Sequence, residues 1–254
     1  FENALNGIYI ELNDNSLYGQ YLSCEMIEIM AQRYNVNKSN MFNYDLMLLK
    51  YTEEGCKTRF SSIWEKAYSL IANVNLLLKN CEAHRDILTD EYYYLLKGEC
   101  HALRAFLHFD IFRLFGPVYD LNVKTVSLPY YKEFSLDQRP SYKPEEFMNC
   151  VIEDLHYADS LLQNDPVLEE GTDMVHDNAF VSYRKYRLNK YAVQLLLARA
   201  ELYRGNKEVA LVAARNVIDA QTQWFPWVTR EAVSSGRPDP DRVFYDEILW
   251  GLQN

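Results

Sequence analysis

The stretch LLKGECHALRAFLHFDIFRLFGPV, residues 95–118, holds two histidines, two arginines, a glutamate, an aspartate and a cysteine within an aromatic run. Side chains of these types can ligate a metal or move protons, so their spacing decides what chemistry is open to them. At 100° per residue, Lys97, His101, Arg104 and His108 fall within about 60° of one another on one narrow edge. Glu99, Asp110 and Arg113 fall on the opposite edge. His101 and His108 are two turns apart, about 10 Å along a helix axis, too far to share one ion. No HExxH, CxxC or aspartate-rich loop completes a ligand shell. A basic edge also repels a cation. These residues read as scaffold, with Glu99 and Arg104 as structural positions and Arg104 expected to anchor neighbouring carbonyls or carboxylates.

Hydrolysis of a glycan would need two carboxylates about 5 to 10 Å apart across one bond. Acidic pairs are present at Glu53-Glu54, Glu145-Glu146, Glu153-Asp154 and Glu169-Glu170. All read as loop charges or solvated faces. Asp165, Glu169, Glu170, Asp173 and Asp177 could surround calcium, but their spacing matches no EF-hand and a solvated loop is expected. No serine or cysteine nucleophile signature stands out.

Binding without chemistry has better material. Tyrosine is over-used, at 20 of 254 residues, and offers a flat apolar face with a hydroxyl, which suits interfaces and sugar rings alike. The segment around Asn40, Phe42, Asn43, Tyr44 and Tyr51 combines aromatic faces with amide groups. Its alternative role is to cover the helix stack. Trp224 and Trp227, flanking Phe225-Pro226, form a second aromatic cluster, more simply read as a plug for the end of a helical repeat.

The elements that would carry these groups are helices. Leu96, Leu103, Leu107, Leu114 and Ala102, Ala105, Phe109, Phe112 fill both flanks between the polar edges of the 90–115 helix. Such a helix must pack neighbours on two sides, as in a layered stack. Thr89 caps its start, and Gly116-Pro117 stops it. A helix over 58–79 presents Trp64, Ala67, Tyr68, Ile71, Val74, Asn75 and Leu78 at 3–4 spacing. Asn75 on that face is expected to bond a neighbouring backbone. Further helices are predicted at residues 2–13, 20–34, 143–162, 186–204 and 207–220. Residues 35–57 read as mostly loop, 119–141 as an irregular connection, and the closing EILWGL as a short strand. Set against the 34-residue tetratricopeptide pattern, Leu197, Ala198, Gly205 and Ala210 take the leucine, small, turn and small positions. Gln194 and Glu201 stand where that pattern has aromatics.

Composition sets the outer bounds. Lys and Arg number 26 against 36 acidic residues, which argues against nucleic acid. Nine glycines and no GxGxxG or Walker loop argue against nucleotide binding. No apolar run approaches the roughly 20 residues of a membrane helix. The five cysteines (Cys24, Cys56, Cys81, Cys100 and Cys150) form no motif, and Cys100 and Cys150 read as buried free thiols in helices.

The order of five segments resembles one family. They are IWEKAYSLIANVNLLL, LLKGECHALRAFLHFDIFRLFGPV, RPSYKPEEFMNCVIEDLHYADSLL, LNKYAVQLLLARAELYRGNKEVALVAARNVI and DRVFYDEILWGLQN. Together they resemble the SusD/RagB outer-membrane nutrient-binding lipoproteins, most specifically at Trp64, Tyr68, Ile71 and Asn75, at Gly98-Glu99, at Leu103-Arg104-Ala105 and at Phe115-Gly116. The resemblance implies an all-α domain of antiparallel helical layers with tetratricopeptide-type pairs. It implies non-catalytic capture of an oligosaccharide (less readily a peptide) for uptake through a SusC-type TonB-dependent transporter, with no cofactor and no metal. It also implies cell-surface attachment through a lipidated N-terminal cysteine, which this chain does not carry. The 254 residues are expected to form one domain, equivalent to the family's N-terminal half. The alternatives are a tetratricopeptide scaffold for protein partners and, third, a glycan-active enzyme.

Overall fold

The computed structural model describes residues 1–119, 125, 127–135 and 137–252. Its elements are α1 (Glu2–Leu12), α2 (Met26–Met30), α3 (Met41–Met47), α4 (Glu54–Ala83), α5 (Asp90–Phe115), strands β1 (Leu128–Pro129) and β2 (Ser141–Tyr142), α6 (Pro144–Leu161), α7 (Val167–Glu170), α8 (Lys190–Tyr203) and α9 (Lys207–Trp224). The long helices pack in chain order, α1 on α4, α4 on α5, α5 on α6, α6 on α8 and α8 on α9. This is an all-α stack of antiparallel layers, with one antiparallel two-stranded ribbon pairing Leu128 with Tyr142.

Helix α5 is the middle of the stack and is buried nearly all round between Tyr93 and Phe112. Its start is set by Thr89, whose hydroxyl accepts from the Tyr92 amide at 3.3 Å. Its end is set by Gly116, although not through a left-handed turn: φ is −81°. Glycine is needed there because a Cβ would sit 2.5 Å from the Phe112 carbonyl oxygen. Close approach also explains Gly98, where a Cβ would lie 2.7 Å from Leu162 Cγ. Between α8 and α9, Gly205 takes φ +89°, a conformation that costs glycine little, and Ala198 and Ala210 are buried. Cys100 and Cys150 are buried free thiols.

The two polar edges of α5 each meet a buried partner set. On one, Glu99 is fully buried and accepts from Arg184 Nη1 at 2.5 Å, from Arg187 Nη1 at 3.4 Å and from the Tyr9 hydroxyl at 2.8 Å. Arg184 also forks onto Asp165 at 2.9 and 2.8 Å. Asp165 is therefore buried and paired, not part of a solvated loop. A lone arginine buried at 184 would be very costly, and two carboxylates plus bidentate geometry offset its desolvation.

Four other expectations are corrected. Residues 41–47 are helical, because the Asn40 side chain accepts from the Asn43 amide at 3.2 Å and supplies a cap. The 20–34 helix shrinks to Met26–Met30, stopped by Gln32 at φ 60°, whose side chain donates to the Met47 carbonyl at 2.7 Å. The 119–141 connection contains β1 and the first residue of β2. The closing EILWGL is not a strand: Tyr245–Glu247 is a single 3-10 turn after left-handed Phe244. The segment is instead held by Gly251 N–H donating to Lys185 O at 3.0 Å and Asn189 Nδ2 donating to Leu249 O at 2.8 Å. No second strand lies beside it among the described residues.

Candidate functional site

One face of α4 carries Phe60, Trp64, Tyr68, Ile71, Ala72 and Asn75, which helical periodicity stacks in register. The rings form a connected series. Tyr51 meets Phe60 edge-on at 5.5 Å, Phe60 meets Phe115 at 6.1 Å, and Phe115 meets Trp64 at 5.3 Å. Trp64 then meets Tyr68 at 4.7 Å, and Tyr68 meets Tyr131 at 5.6 Å with planes 75° apart. The far end opens into a cavity of about 340 Å³ between α4 and the loop after β1. Trp64, Tyr68, Asn75 and Tyr131 wall it, Ile71, Ala72 and Pro129 floor it, and Glu133, Ser135, Asp137 and Gln138 form the rim. That size lies at the lower end of small-ligand sites, and its mix of aromatic walls with a few polar groups is their usual make-up.

The loop wall is held in place by buried polar groups. Tyr68 Oη donates to Pro129 O at 3.1 Å, and Asn75 Nδ2 donates to Tyr131 O at 2.9 Å. Arg104 Nη1 donates to Lys132 O at 2.6 Å and to Asn75 Oδ1 at 2.8 Å. The Tyr131 amide donates to His108 Nε2 at 3.1 Å. The other ring nitrogen, Nδ1, donates to Arg104 O at 2.9 Å, so His108 must be the neutral Nδ1–H tautomer. Burial pushes its pKa down to about 3. Arg104 also forks onto Asp154 at 2.7 and 2.6 Å, and Asp154 accepts from the Tyr130 hydroxyl at 2.5 Å and from His101 Nδ1 at 2.9 Å. Burial would raise the Asp154 pKa, but the bonds from Arg104 and His101 outweigh it and hold it low. His101 and His108 thus serve one wall of the cavity, and their side chains point to carboxylate and backbone, not to a shared ion. No metal-ligand group of three or more occurs among the described residues.

The other sequence-derived candidates lie elsewhere. Asn40 caps α3, and Asn43 Oδ1 accepts from Arg59 Nη1 at 2.6 Å. Phe42 is 58% exposed but rests its ring over Gly55, where a Cβ would collide with it. The Tyr44 ring has Lys38 Nζ 5.9 Å away. None of these four lines the α4 cavity, and Tyr51 reaches it only through the ring series. Trp224 ends α9 over Gly171, while Trp227 is 73% exposed, and both are apart from the cavity. Trp64, Tyr68 and Asn75, read from sequence as scaffold, are the ones the fold gathers around an open space. Sequence reasoning passed over Tyr131, Glu133, Asp137 and Gln138. The paired tyrosines at 130–131 were the available signal, since one is buried on Asp154 and the next faces the cavity.

The helices thus pin an irregular loop beside an aromatic-walled cavity. Residues 1–202 match the SusD-like family model described as "Starch-binding associating with outer membrane", and the chain belongs to that family. Solved structures share the fold. A SusD-like carbohydrate binding protein from Bacteroides vulgatus superposes with a TM-score of 0.66 at 22% identity, covering 91% of this chain and 46% of that one. A SusD superfamily protein from Bacteroides fragilis gives 0.67 at 19% identity, covering 91% and 50%. A laminarin binding SusD-like protein gives 0.62 at 17% identity, covering 85% and 42%. The chain thus spans about half the length of the structures it matches. No curated protein matches it. No helix among the described residues is long and apolar enough to cross a membrane.

Proposed function

We propose that this chain binds glycans without cleaving them, using the aromatic face of α4 and the cavity beside Tyr131. The carrying observation is the ring series from Tyr51 to Tyr131 ending in a cavity whose loop wall is held by hydrogen bonds with Tyr68, Asn75, Arg104 and His108. Preorganised rings lose little entropy on stacking against the CH-rich face of a sugar. Membership of a family described as starch-binding, and the fold shared with a laminarin binding protein, support the same reading. The Asn40–Tyr44 segment extends the surface beyond Tyr51, with Trp224 and Trp227 as a separate candidate. In the intact protein the 254 residues work as one helical domain at the outer-membrane surface, lipid-anchored and partnered with a SusC-type TonB-dependent transporter.

Native affinity electrophoresis in laminarin and starch gels, with sugar release assayed in parallel, tests this. Trp64→Ala and Tyr131→Ala should abolish or strongly reduce retardation with no reducing sugar formed by any variant. Release of sugar would move the protein to the enzyme class. Against that class, Glu133 is tied to Arg139 and neither cavity carboxylate is buried, whereas a glycosidase acid is held in an apolar pocket. A protein-docking role has one observation in its favour. The outer faces of α8 and α9 expose Leu202, Leu211, Val212 and Ile218, which suits contact with a protein such as the transporter.

A further inference from the structure

We infer that the α4 cavity is a subsite for a neutral pyranose and rejects uronic and sulfated sugars, an inference that rests on the glycan-binding reading above. The argument is an inventory of donors and acceptors still free to meet a ligand. The hydroxyl proton of Tyr68 is spent on Pro129 O. The Asn75 amide, itself buried, is engaged at both ends, donating to Tyr131 O and accepting from Arg104. The inner walls therefore offer ring faces and little polar recognition. Hydroxyl recognition falls to the rim, where Ser135 Oγ already accepts from the Asp137 amide. What remains there is the neutral Gln138 amide, the Ser135 hydroxyl proton and two carboxylates. The Asp137 carboxylate makes no hydrogen bond or ion pair among the described residues. Glu133 carries a second negative charge, partly offset by Arg139. No lysine or arginine lines the cavity.

A carboxylate in this position asks its ligand for donors, and two adjacent sugar hydroxyls can both donate to its two oxygens. The carboxylate of a uronate, or a sulfate ester, adds acceptors and a negative charge to a ring whose remaining hydroxyls still donate. No lysine or arginine lines the cavity to pair with that charge, Arg139 being tied to Glu133, and the group is placed beside Asp137. At about 5 Å, even with the dielectric of water, that repulsion corresponds to about a fourfold loss of affinity, and to more where the cavity walls exclude solvent. The effect fades with salt because the rim is exposed. The net charge of −10 acts in the same direction at longer range. The aromatic walls fix the other half of the specificity: the sugar must present an unsubstituted CH face to Trp64 or Tyr131.

Titration calorimetry tests this with two sets of hexasaccharides on the same protein. The neutral set is laminarihexaose, maltohexaose, cellohexaose and xylohexaose, and the anionic set is hexagalacturonate and hexamannuronate. The expected result is binding of at least one neutral hexamer, lost in Trp64→Ala, with both uronates weaker by fivefold or more in dilute buffer. Asp137→Asn should narrow that gap by about fourfold, and 0.5 M salt should narrow it in the wild type by about threefold. A uronate held as tightly as the neutral sugars, or a gap unmoved by Asp137→Asn, overturns the charge filter while leaving glycan binding intact. Neutral binding that survives both Trp64→Ala and Tyr131→Ala overturns the placement of the subsite. If neither set is bound, the glycan reading itself fails and this inference falls with it.

Discussion

Replacing Arg104 with methionine keeps the apolar stem and removes the guanidinium that ties α4, α5, α6 and the cavity loop together. Four bonds disappear: two charge-assisted bonds to Asp154 at 2.6 and 2.7 Å, and one each to Asn75 Oδ1 and Lys132 O. Asp154 stays buried with only Tyr130 and His101 as donors. Stranding one member of a buried pair costs about 3–5 kcal/mol, and the orphaned Lys132 carbonyl adds about 1 kcal/mol. The surviving bonds from Tyr130 and His101 hold the total near the lower end, so about 3–5 kcal/mol is expected for Arg104→Met by urea unfolding at pH 7. Removing the stranded carboxylate as well, in Arg104→Met/Asp154→Leu, should recover part of the loss, giving a coupling of about 1–3 kcal/mol in the double-mutant cycle. A loss below about 1 kcal/mol for the single variant, or strict additivity in the cycle, would refute the claim that Arg104 holds the three helices through its buried pair with Asp154 and its bond to Asn75.

The remaining predictions concern acid, packing and binding. His108 is neutral in the fold with its pKa pushed down to about 3, chiefly by burial, whereas an unfolded histidine takes up a proton near 6.5. Below about pH 6.5 the unfolded chain gains a proton that the folded chain does not. Stability should therefore fall as pH drops from about 6.5 towards 3, by up to about 1.4 kcal/mol per pH unit from this residue; a His108→Gln variant with an unchanged acid slope in urea titrations would contradict it. Gly98→Ala should cost about 1–3 kcal/mol, read as a lowered Tm, because the added Cβ meets Leu162 at 2.7 Å; a Tm equal to that of the wild type would show that the α5 contact with Leu162 relaxes freely. Phe42→Ala and Tyr44→Ala should leave the Tm within a degree or two while weakening glycan retention in the full-length protein. Retention unchanged in both, but lost in Trp64→Ala, would confine the site to the α4 cavity.

The sequence by itself determined the stack. Strong 3–4 periodicity, a Thr89 cap and a Gly-Pro stop placed α5 at residues 90–115, and the observed Asp90–Phe115 agrees because each signal acts within a few residues of the chain. The α8–α9 pair was legible for the same reason: Gly205 and the small residues at 198 and 210 dictate a local reversal and a close crossing. Only the tertiary structure decided where the polar groups of α5 would go. Helical phase puts Glu99 and Arg104 on opposite edges, but nothing local says that Arg184 lies against one and Asp154 against the other, 85 and 50 residues away. The same holds for the cavity. Trp64, Tyr68 and Asn75 form an ordinary apolar helix face until the chain returns more than 50 residues later and lays Tyr131 beside it. Asp165, expected in solvent from its acidic surroundings, is buried because Arg184 is brought to it. Short-range geometry is written in spacing and capping, whereas burial of a charge depends on a partner that only long-range packing supplies.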